Sequence, residues 1–357
     1  MADLVYFIDP AATGANNGTS WADAYTSMNA WEQAQDQNLV SGENTMTAYF
    51  RSSGAHPADT TAVNIDGWTT SAAYDIRILH AGFYDDSETL PGKYDSTKYR
   101  LELANATIFT VREDYVTIKG LVIKGTGASA NGQSPVYIGV ISATDNQIMV
   151  SHCVLMTHSS STYWCYGLSI GDADTKLKIW NTIIAGYATN HPNNVGLRLS
   201  GYLCHVYNCT AWGGYQAVRG ISGTNYCKNV VAANAQIYDF QEAAGTLYCE
   251  YCVSEDATAD DQDGDGRSGN NQINISIANM DFDDPANGDF HLGADSVLLG
   301  DGINLTTDPD GWLSFSDDID GQTRPGSGGW CPGADERIVV GGDALPMAMN
   351  HYRQLRS

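Results

Sequence analysis

The sequence predicts an all-β protein, a single-stranded right-handed parallel β-helix with a short N-terminal capping helix and a C-terminal cap. Three observations predict this fold. Short segments rich in Val, Ile, Thr and Tyr alternate with period two, as strands do. These segments return at steps of 21 to 32 residues along the middle of the chain, which is typical of a solenoid. Turn residues are abundant, with 37 glycines in 357 residues.

The repeated unit is an apolar residue, a spacer, an Asn or its substitute, and then a small or β-branched pair. At the Asn position a coil turns between two strands, and backbone groups that lose their strand partners must find others. We expect stacked Asn side chains to bond those groups and one another. We call these positions the Asn column: Gly120, His152, Asn181, Asn208, Asn229 and Tyr251.

The chain divides into three predicted parts. Residues 1–45 form a first strand and a capping helix, for which residues 27–39 are the candidate segment. Residues 46–340 form the coils of the β-helix, an acidic loop at 256–275 and the terminal cap. Residues 341–357 follow a Gly-Gly pair and are predicted to be either a flexible end or a docking tail for another subunit.

Composition excludes some classes of partner. A net charge of −24 argues against nucleic acid and anionic membrane as partners, because both attract basic surfaces. No apolar run is long enough to span a bilayer. The first residues lack the basic start and apolar run of a secretory signal, so the chain is either used without such export or lacks a signal that was removed. The eight cysteines are expected to be small apolar core groups rather than a disulfide framework.

Both ends of the chain resemble bacterial and phage right-handed β-helix repeat proteins of the pectate-lyase-like superfamily. Residues 5–10 (VYFIDP) and 12–25 look like the opening of those proteins, which leads into a capping helix. Residues 283–292 (DDPANGDFHL) resemble their terminal turn, and 318–325 (DIDGQTRP) with 333–336 (GADE) resemble their closing signature. The group includes polysaccharide lyases, glycoside hydrolases, phage tailspikes and non-catalytic surface proteins, so the resemblance implies the fold and leaves the activity open.

A second strand follows each turn and supplies the first candidate site. Aligning residues 166–170, 195–199, 216–220 and 236–240 gives Arg198, Arg219 and Asp239 the same outward orientation on successive rungs, about 4.8 Å apart. Resemblance to lyases of this fold implies a base and a cation that neutralises a uronate carboxylate, with Arg198 or Arg219 in either role and Asp239 as a metal ligand. The alternative is an exposed salt bridge between Arg219 and Asp239, which would contribute little to the stability of the fold.

The acidic loop supplies the second candidate. Asp261, Asp263 and Asp265 alternate before a glycine, a pattern that offers several carboxylate oxygens to one Ca²⁺ ion. Gln272 stands where an EF-hand needs its last glutamate, so a complete EF-hand is excluded. Ca²⁺ is therefore the one candidate cofactor, and the alternative is a solvated loop without a fixed ion.

Aromatic and basic residues supply candidates for contacts with partners. Stacked rings on neighbouring coils could bind sugar rings or bury against another subunit, or else pack under loops of the same chain. The tail carries two arginines in an otherwise acidic protein. The candidate contact residues are Trp180, Tyr207, Trp212 and Tyr215 in the coils, and His351, Tyr352, Arg353 and Arg356 in the tail.

Three functional hypotheses follow. The first is a non-catalytic structural or attachment protein of a tailed phage virion (a capsid decoration, head spike or tail fibre) that contacts virion proteins, itself or a cell-surface polysaccharide. The second is a secreted polysaccharide lyase or glycoside hydrolase acting on an acidic glycan. The third is a bacterial surface adhesin module. The expected location is the virion or the extracellular medium, and the sparse catalytic candidates favour the first hypothesis.

Overall fold

The protein is a right-handed parallel β-helix. The structure, a computed structural model, describes residues 2–85, 88–139, 147–157, 163–186, 191–260, 269–311 and 313–337. Three sheets of parallel strands run along this part of the chain, and each coil visits them in turn. We name them the first, second and third sheets and number the strands in chain order. None of the helices in the described ranges is long and apolar enough to cross a membrane.

The first sheet contains β1 (Ala2–Ile8), β2 (Asn44–Phe50), β4 (Ile76–His80), β7 (Val116–Lys119), β10 (Ile148–Ser151), β13 (Lys176–Trp180), β16 (Leu203–Tyr207), β19 (Thr224–Lys228) and β22 (Thr246–Glu250). The second contains β5 (Arg100–Leu103), β8 (Val122–Gly125), β11 (Val154–Met156), β14 (Ile183–Gly186), β17 (Thr210–Gly213), β20 (Val231–Ala233) and β23 (Val253–Ser254). The third contains β3 (Val63–Ile65), β6 (Phe109–Val111), β9 (Val136–Ile138), β12 (Tyr166–Ile170), β15 (Val195–Leu199), β18 (Gln216–Gly220) and β21 (Tyr238–Glu242).

The remaining elements lie outside the coils. They are α1 (Met28–Gln35), α2 (Leu39–Gly42), α3 (Gly82–Asp85), α4 (Ile277–Met280), a 3₁₀ turn at Pro285–Asn287, and the antiparallel hairpin of β24 (Phe282–Asp284) and β25 (Asp289–Leu292).

The core lies inside the coil and consists of side chains stacked in register. In the first sheet Ile118, Val150, Ile179, Val206 and Cys227 follow one another on successive strands. All five are buried. Alternation along each strand sends every second side chain into this column, which is why period two appears in the sequence.

All eight cysteines are buried, as expected for small core groups, and none forms a disulfide in this structure. Burial raises the pKa of the Cys153 and Cys204 thiols to about 12. Protonated thiols in the core pack like small apolar groups and are poor nucleophiles.

The N-terminal capping helix predicted at residues 27–39 is present as α1 and α2. The Ser27 hydroxyl accepts a hydrogen bond of 3.0 Å from the backbone N–H of Ala30 and so caps α1. Met28 and Trp31 point into the core and are fully buried. The ring of Trp31 lies 5.8 Å from that of Trp68. The helix thus covers apolar surface at the start of the solenoid.

Every residue of the Asn column has a left-handed backbone. The φ angle is 76° at Gly120, 54° at His152, 45° at Asn181 and Asn208, and 54° at Asn229. Tyr251 at the end of the column has the same conformation, with φ of 54°. Glycine and asparagine tolerate this region best, which explains the residue types at the turn between the first and second sheets.

The side chains of the Asn column bind the C-terminal cap, which we define as residues 276–337. The Asn181 amide donates to Asp317 O at 2.9 Å, and the Asn208 amide donates to Cys331 O and Gly333 O, both at 3.1 Å. Asn229 donates to Ile303 O at 2.8 Å and to the Asn208 side-chain oxygen at 3.0 Å. The sequence predicted that these amides satisfy backbone groups and one another, and most of those backbone groups belong to the cap.

The cap lies along the side of the solenoid, over the outer face of the second sheet. Val154 and Ile183 on that face are buried against it in one apolar cluster with Phe290, Leu298 and Ile319 of the cap. Strands of the second sheet are apolar on both faces, as in β11 (VLM) and β14 (IIAG). Such runs indicate a sheet covered on both sides.

Arg324 anchors the cap from a fully buried position. Its guanidinium pairs with Glu336 (Nη1 to Oε2, 2.9 Å). It also donates to the carbonyl oxygens of Asp317 at 2.8 Å and Ala334 at 2.9 Å, and to the Asn181 side-chain oxygen at 3.3 Å. The closing signature in the sequence therefore has a structural role, since it ties the cap to itself and to the Asn column.

Candidate functional site

A line of polar side chains follows the outer face of the third sheet. Ser169 pairs with Tyr137 on one side and Arg198 on the other, Arg198 pairs with Arg219, and Arg219 pairs with Gln241. The neighbours Leu168, Leu197, Val218 and Phe240 point into the core. We call Tyr137, Ser169, Arg198, Arg219 and Gln241 the polar line. The structure thus brings together Arg198 and Arg219, which the sequence aligned.

Asp239 is not part of the polar line, contrary to the alignment made from the sequence. Tyr238 pairs with Gln216, and Phe240 pairs with Val218, so Gln241 stands beside Arg219. The alignment erred by two residues because it assigned Tyr238 to the core, whereas Tyr238 is 40% exposed and Phe240 is fully buried. A step of 22 residues, the same as from Asn229 to Tyr251, would have given the observed register.

Asp239 supports a turn of the backbone instead. Its carboxylate accepts hydrogen bonds from the N–H groups of Ala235 (3.3 Å), Glu255 (2.7 Å) and Asp256 (3.1 Å). Burial, and then the charge of Asp256, raises the pKa of Asp239 to about 7. A carboxylate so engaged cannot ligate a metal on the polar line without breaking this turn.

The two arginines of the polar line differ in their contacts. Arg198 Nη1 donates to Ile170 O at 2.8 Å and to Ser200 Oγ at 3.1 Å, and its guanidinium lies 5.3 Å from the centre of the Tyr166 ring. The buried Nε of Arg219 has no hydrogen-bond partner. Within the described ranges, neither guanidinium forms an ion pair.

This arrangement favours an anion. Two like charges on adjacent rungs repel each other, and a carboxylate or sulfate placed between them would remove that repulsion. Arginine keeps its proton at any ordinary pH, so these side chains can hold and neutralise an acidic group but are poor general bases. The polar line is therefore suited to binding.

Three of the four aromatic candidates are covered by the C-terminal cap. Trp180 lies 6.3 Å from Phe315 (between ring centres), and Trp212 lies 5.4 Å from Phe290. The Tyr207 hydroxyl lies 3.5 Å from a carboxylate oxygen of Asp308. The interpretation of Trp180, Tyr207 and Trp212 as open contact residues is therefore wrong, because a face that the sequence shows as outward is buried by a distant part of the same chain. Tyr215 is partly exposed.

Other aromatic residues are accessible near the third sheet, and the sequence analysis missed them as candidates. Tyr202 is 61% exposed in the link between β15 and β16. Tyr238 is exposed at the start of β21, and Tyr166 is partly exposed beside Arg198. Aromatic rings beside charged donors are common in sugar-binding surfaces, and the register of the third sheet is needed to locate them.

Two groups of predicted residues lie outside the described part of the chain. They are Asp261, Asp263 and Asp265 of the acidic loop, and His351, Tyr352, Arg353 and Arg356 of the tail. Calcium binding and docking through the tail stay predictions.

Comparison with solved structures finds similar folds, among them a pectate lyase. A solved structure, the crystal structure of pectate lyase Pel9A, matches with a TM-score of 0.45 and 12% sequence identity, over 95% of this chain and 97% of that chain. The chain is similar to a pectate lyase in fold. No protein-family model and no curated protein matches the sequence. The fold itself follows from the three parallel sheets.

A second polar feature lies beside α1. An open depression there is lined by Asn29, Glu32, Gln33, Asp36, Asn64, Asp66 and Gly67. The nearby carboxyl of Glu113 accepts hydrogen bonds from the backbone of Gly67 and Trp68, yet burial raises its pKa to about 7. Burial raises the pKa of Asp114 to about 6, and the Asp114 Oδ1 atom is buried without a hydrogen-bond partner.

We expect the Asp114→Asn variant to be more stable than the unmodified protein at pH 8 and equally stable near pH 4. The raised pKa means that ionising Asp114 costs folding free energy as pH rises from about 4 to about 6, and Asn removes this cost. The gain at pH 8 should be about 1 kcal/mol, less than the full shift would give because the group is partly exposed. Urea unfolding at both pH values measures the difference in free energy of unfolding between the variant and the unmodified protein. The same difference at pH 4 and pH 8 would contradict the prediction.

Proposed function

We propose that this protein is a non-catalytic structural or attachment component of a tailed phage virion that binds an acidic glycan along the polar line. The observation that carries the glycan part is the pair Arg198 and Arg219, which stand on adjacent rungs without an ion-pair partner in the described ranges. In a chain with net charge −24, a cationic pair facing outward is an exception to the general character of the surface.

The guanidinium groups of the polar line favour an acidic ligand. A guanidinium binds carboxylate or sulfate oxygens through charge-assisted hydrogen bonds, and Arg219 has donors to offer. Gln241 lies in the same line and suits a hydroxyl group of a sugar, since its side-chain oxygen has no hydrogen-bond partner among the described residues, whereas Ser169 is buried. The repeat of the rungs, about 4.8 Å, is close to the length of one sugar residue, so an extended chain could follow the line.

Binding is favoured over cleavage because the described residues of the polar line do not include the acid–base pair that a lyase needs. Asp239 is held in a turn, and both arginines stay charged. The virion part of the proposal is supported by the resemblance of the chain's two ends to phage and bacterial β-helix repeat proteins.

We expect the Arg219→Gln variant to bind an acidic polysaccharide at least about tenfold more weakly than the unmodified protein, because one charge-assisted contact is lost. Alginate and pectate are suitable probes, with binding followed by calorimetry at two salt concentrations. Added salt should weaken binding, since the contact is electrostatic. The matched control is Arg77→Gln, which removes an outward arginine that already pairs with Asp75 at 2.9 Å.

Separate results would overturn each part of the proposal. Equal affinity of Arg219→Gln and Arg77→Gln would exclude the polar line as the binding site. A rise in absorbance from unsaturated uronates during incubation would show that the protein is a lyase. Mass spectrometry of purified phage particles and of culture supernatant would test where the protein is located. Absence of the protein from the particles would exclude a virion role.

A further inference from the structure

Three potential metal ligands meet inside the C-terminal cap. His291 lies on β25, Asp320 in the turn after Asp318, and Asp335 in the closing signature. One ligand atom from each of His291, Asp320 and Asp335 lies within 4.8 Å of the other two. His291 Nε2 and Asp320 Oδ2 are 2.7 Å apart. The three residues come from segments that are distant in sequence, which is why sequence analysis did not group them.

The other nitrogen of His291 is already oriented. His291 Nδ1 lies 2.5 Å from Asp289 Oδ1, and the second oxygen of Asp289 accepts from Lys93 Nζ at 2.6 Å. A carboxylate that holds one ring nitrogen while the other faces a metal is a common outer shell of histidine ligands. The contact fixes the ring so that Nε2 points at Asp320 and the centre of the cluster.

Asp335 is also held in place. It is 6% exposed, and its Oδ2 accepts from the backbone N–H of Leu292 at 2.8 Å, which leaves Oδ1 for a ligand. The loop that carries Lys93 approaches closely, because a Cβ at Gly92 would lie only 1.9 Å from Asp320 Oδ1. The cluster is thus enclosed by four segments of the chain.

We propose that His291, Asp320 and Asp335 bind one divalent transition-metal ion of the zinc class. An imidazole nitrogen with two carboxylates suits Zn²⁺, whereas Ca²⁺ prefers oxygen ligands alone. Tetrahedral coordination at about 2.0–2.1 Å places ligand atoms roughly 3.4 Å apart. The present spacing therefore needs small side-chain movements only, and a water molecule completes the coordination.

Such an ion would hold three segments of the C-terminal cap together. It would link β25, the turn at Asp320 and the closing signature, and through Asp289 and Lys93 it would also reach the loop near Gly92. This inference does not depend on glycan binding, because the cluster lies in the C-terminal cap and the polar line lies on the third sheet.

The test uses the full chain, freed of metal with a chelator and titrated with ZnCl₂ by calorimetry at pH 7.5. We expect one equivalent to bind with a Kd in the micromolar range or below, and the Tm to rise by several degrees on saturation. Co²⁺ in place of Zn²⁺ should give the visible absorption of a tetrahedral site. CaCl₂ should neither compete with Zn²⁺ nor raise the Tm to the same extent.

Variants identify the ligands. His291→Gln and Asp320→Asn should each weaken Zn²⁺ binding by more than tenfold, and Asp289→Asn should weaken it 10- to 100-fold by releasing the ring. Asp75→Asn, a carboxylate paired with Arg77 on the first sheet, is the matched control and should bind Zn²⁺ normally.

No saturable Zn²⁺ binding by the unmodified protein would overturn the proposal, since His291 would then serve only as a protonated bridge between Asp289 and Asp320. Zn²⁺ binding that survives in both His291→Gln and Asp320→Asn would also overturn the proposal. If a variant does not fold, the stoichiometry and the Co²⁺ spectrum of the unmodified protein decide the matter.

Discussion

Replacing Arg324 with Leu is expected to lower the free energy of unfolding by about 3–5 kcal/mol and to release the C-terminal cap from the solenoid. Glu336 would keep a buried charge without its partner, and the carbonyl groups of Asp317 and Ala334 would lose a donor. Urea unfolding measures the stability, and hydrogen exchange of residues 317–336 measures release of the cap.

Two variants separate loss of the pair from loss of a surface charge. Arg77→Leu removes an exposed arginine and should cost at most about 1 kcal/mol. The double variant Arg324→Leu with Glu336→Gln removes both charges and should recover part of the loss. If Arg324→Leu were no more damaging than Arg77→Leu, the anchoring role of this side chain would be refuted.

The second large effect is expected at the centre of the Asn column. Asn208→Ala removes two hydrogen bonds to the cap and the one that Asn229 donates, and it places a residue without a polar side chain at φ of 45°. We expect a loss of about 4–5 kcal/mol, from about 1 kcal/mol for each of the three hydrogen bonds and about 1–2 kcal/mol for the backbone. Urea unfolding gives the total.

Glycine at the same position separates the two causes. Asn208→Gly keeps the left-handed backbone and loses only the side-chain contacts, so it should be less damaging than Asn208→Ala. Tyr251 occupies the same conformation at the end of the column, and Tyr251→Asn should be neutral or slightly stabilising. Equal losses for Asn208→Ala and Asn208→Gly would show that the backbone conformation contributes nothing.

The sequence was sufficient to predict the coils because their determinants are local. Asn181 and Asn208 mark the turn through a backbone conformation that few residues tolerate, and strands such as β13 carry the alternation that fills the core. The determinants of the capping helix are equally local, since Ser27 and the apolar residues that follow it lie within a few positions of one another.

The candidate site was predicted only in part because it depends on register and on distant segments. Arg198 and Arg219 were aligned correctly, but the shift at Tyr238 depends on which of two aromatic residues enters the core. For Trp212 the sequence leaves both an open contact and packing within the chain possible, because nothing near it in sequence shows that Phe290 covers it. The cluster of His291 and Asp320 arises only after the cap has folded back.

The buried thiols bear on where the molecule can work. None of them takes part in a disulfide, and their raised pKa values keep them protonated and slow to react with oxidants. The described structure therefore depends on no cross-link between these thiols. Folding of a chain of this kind needs no step that forms cross-links, whichever medium it works in.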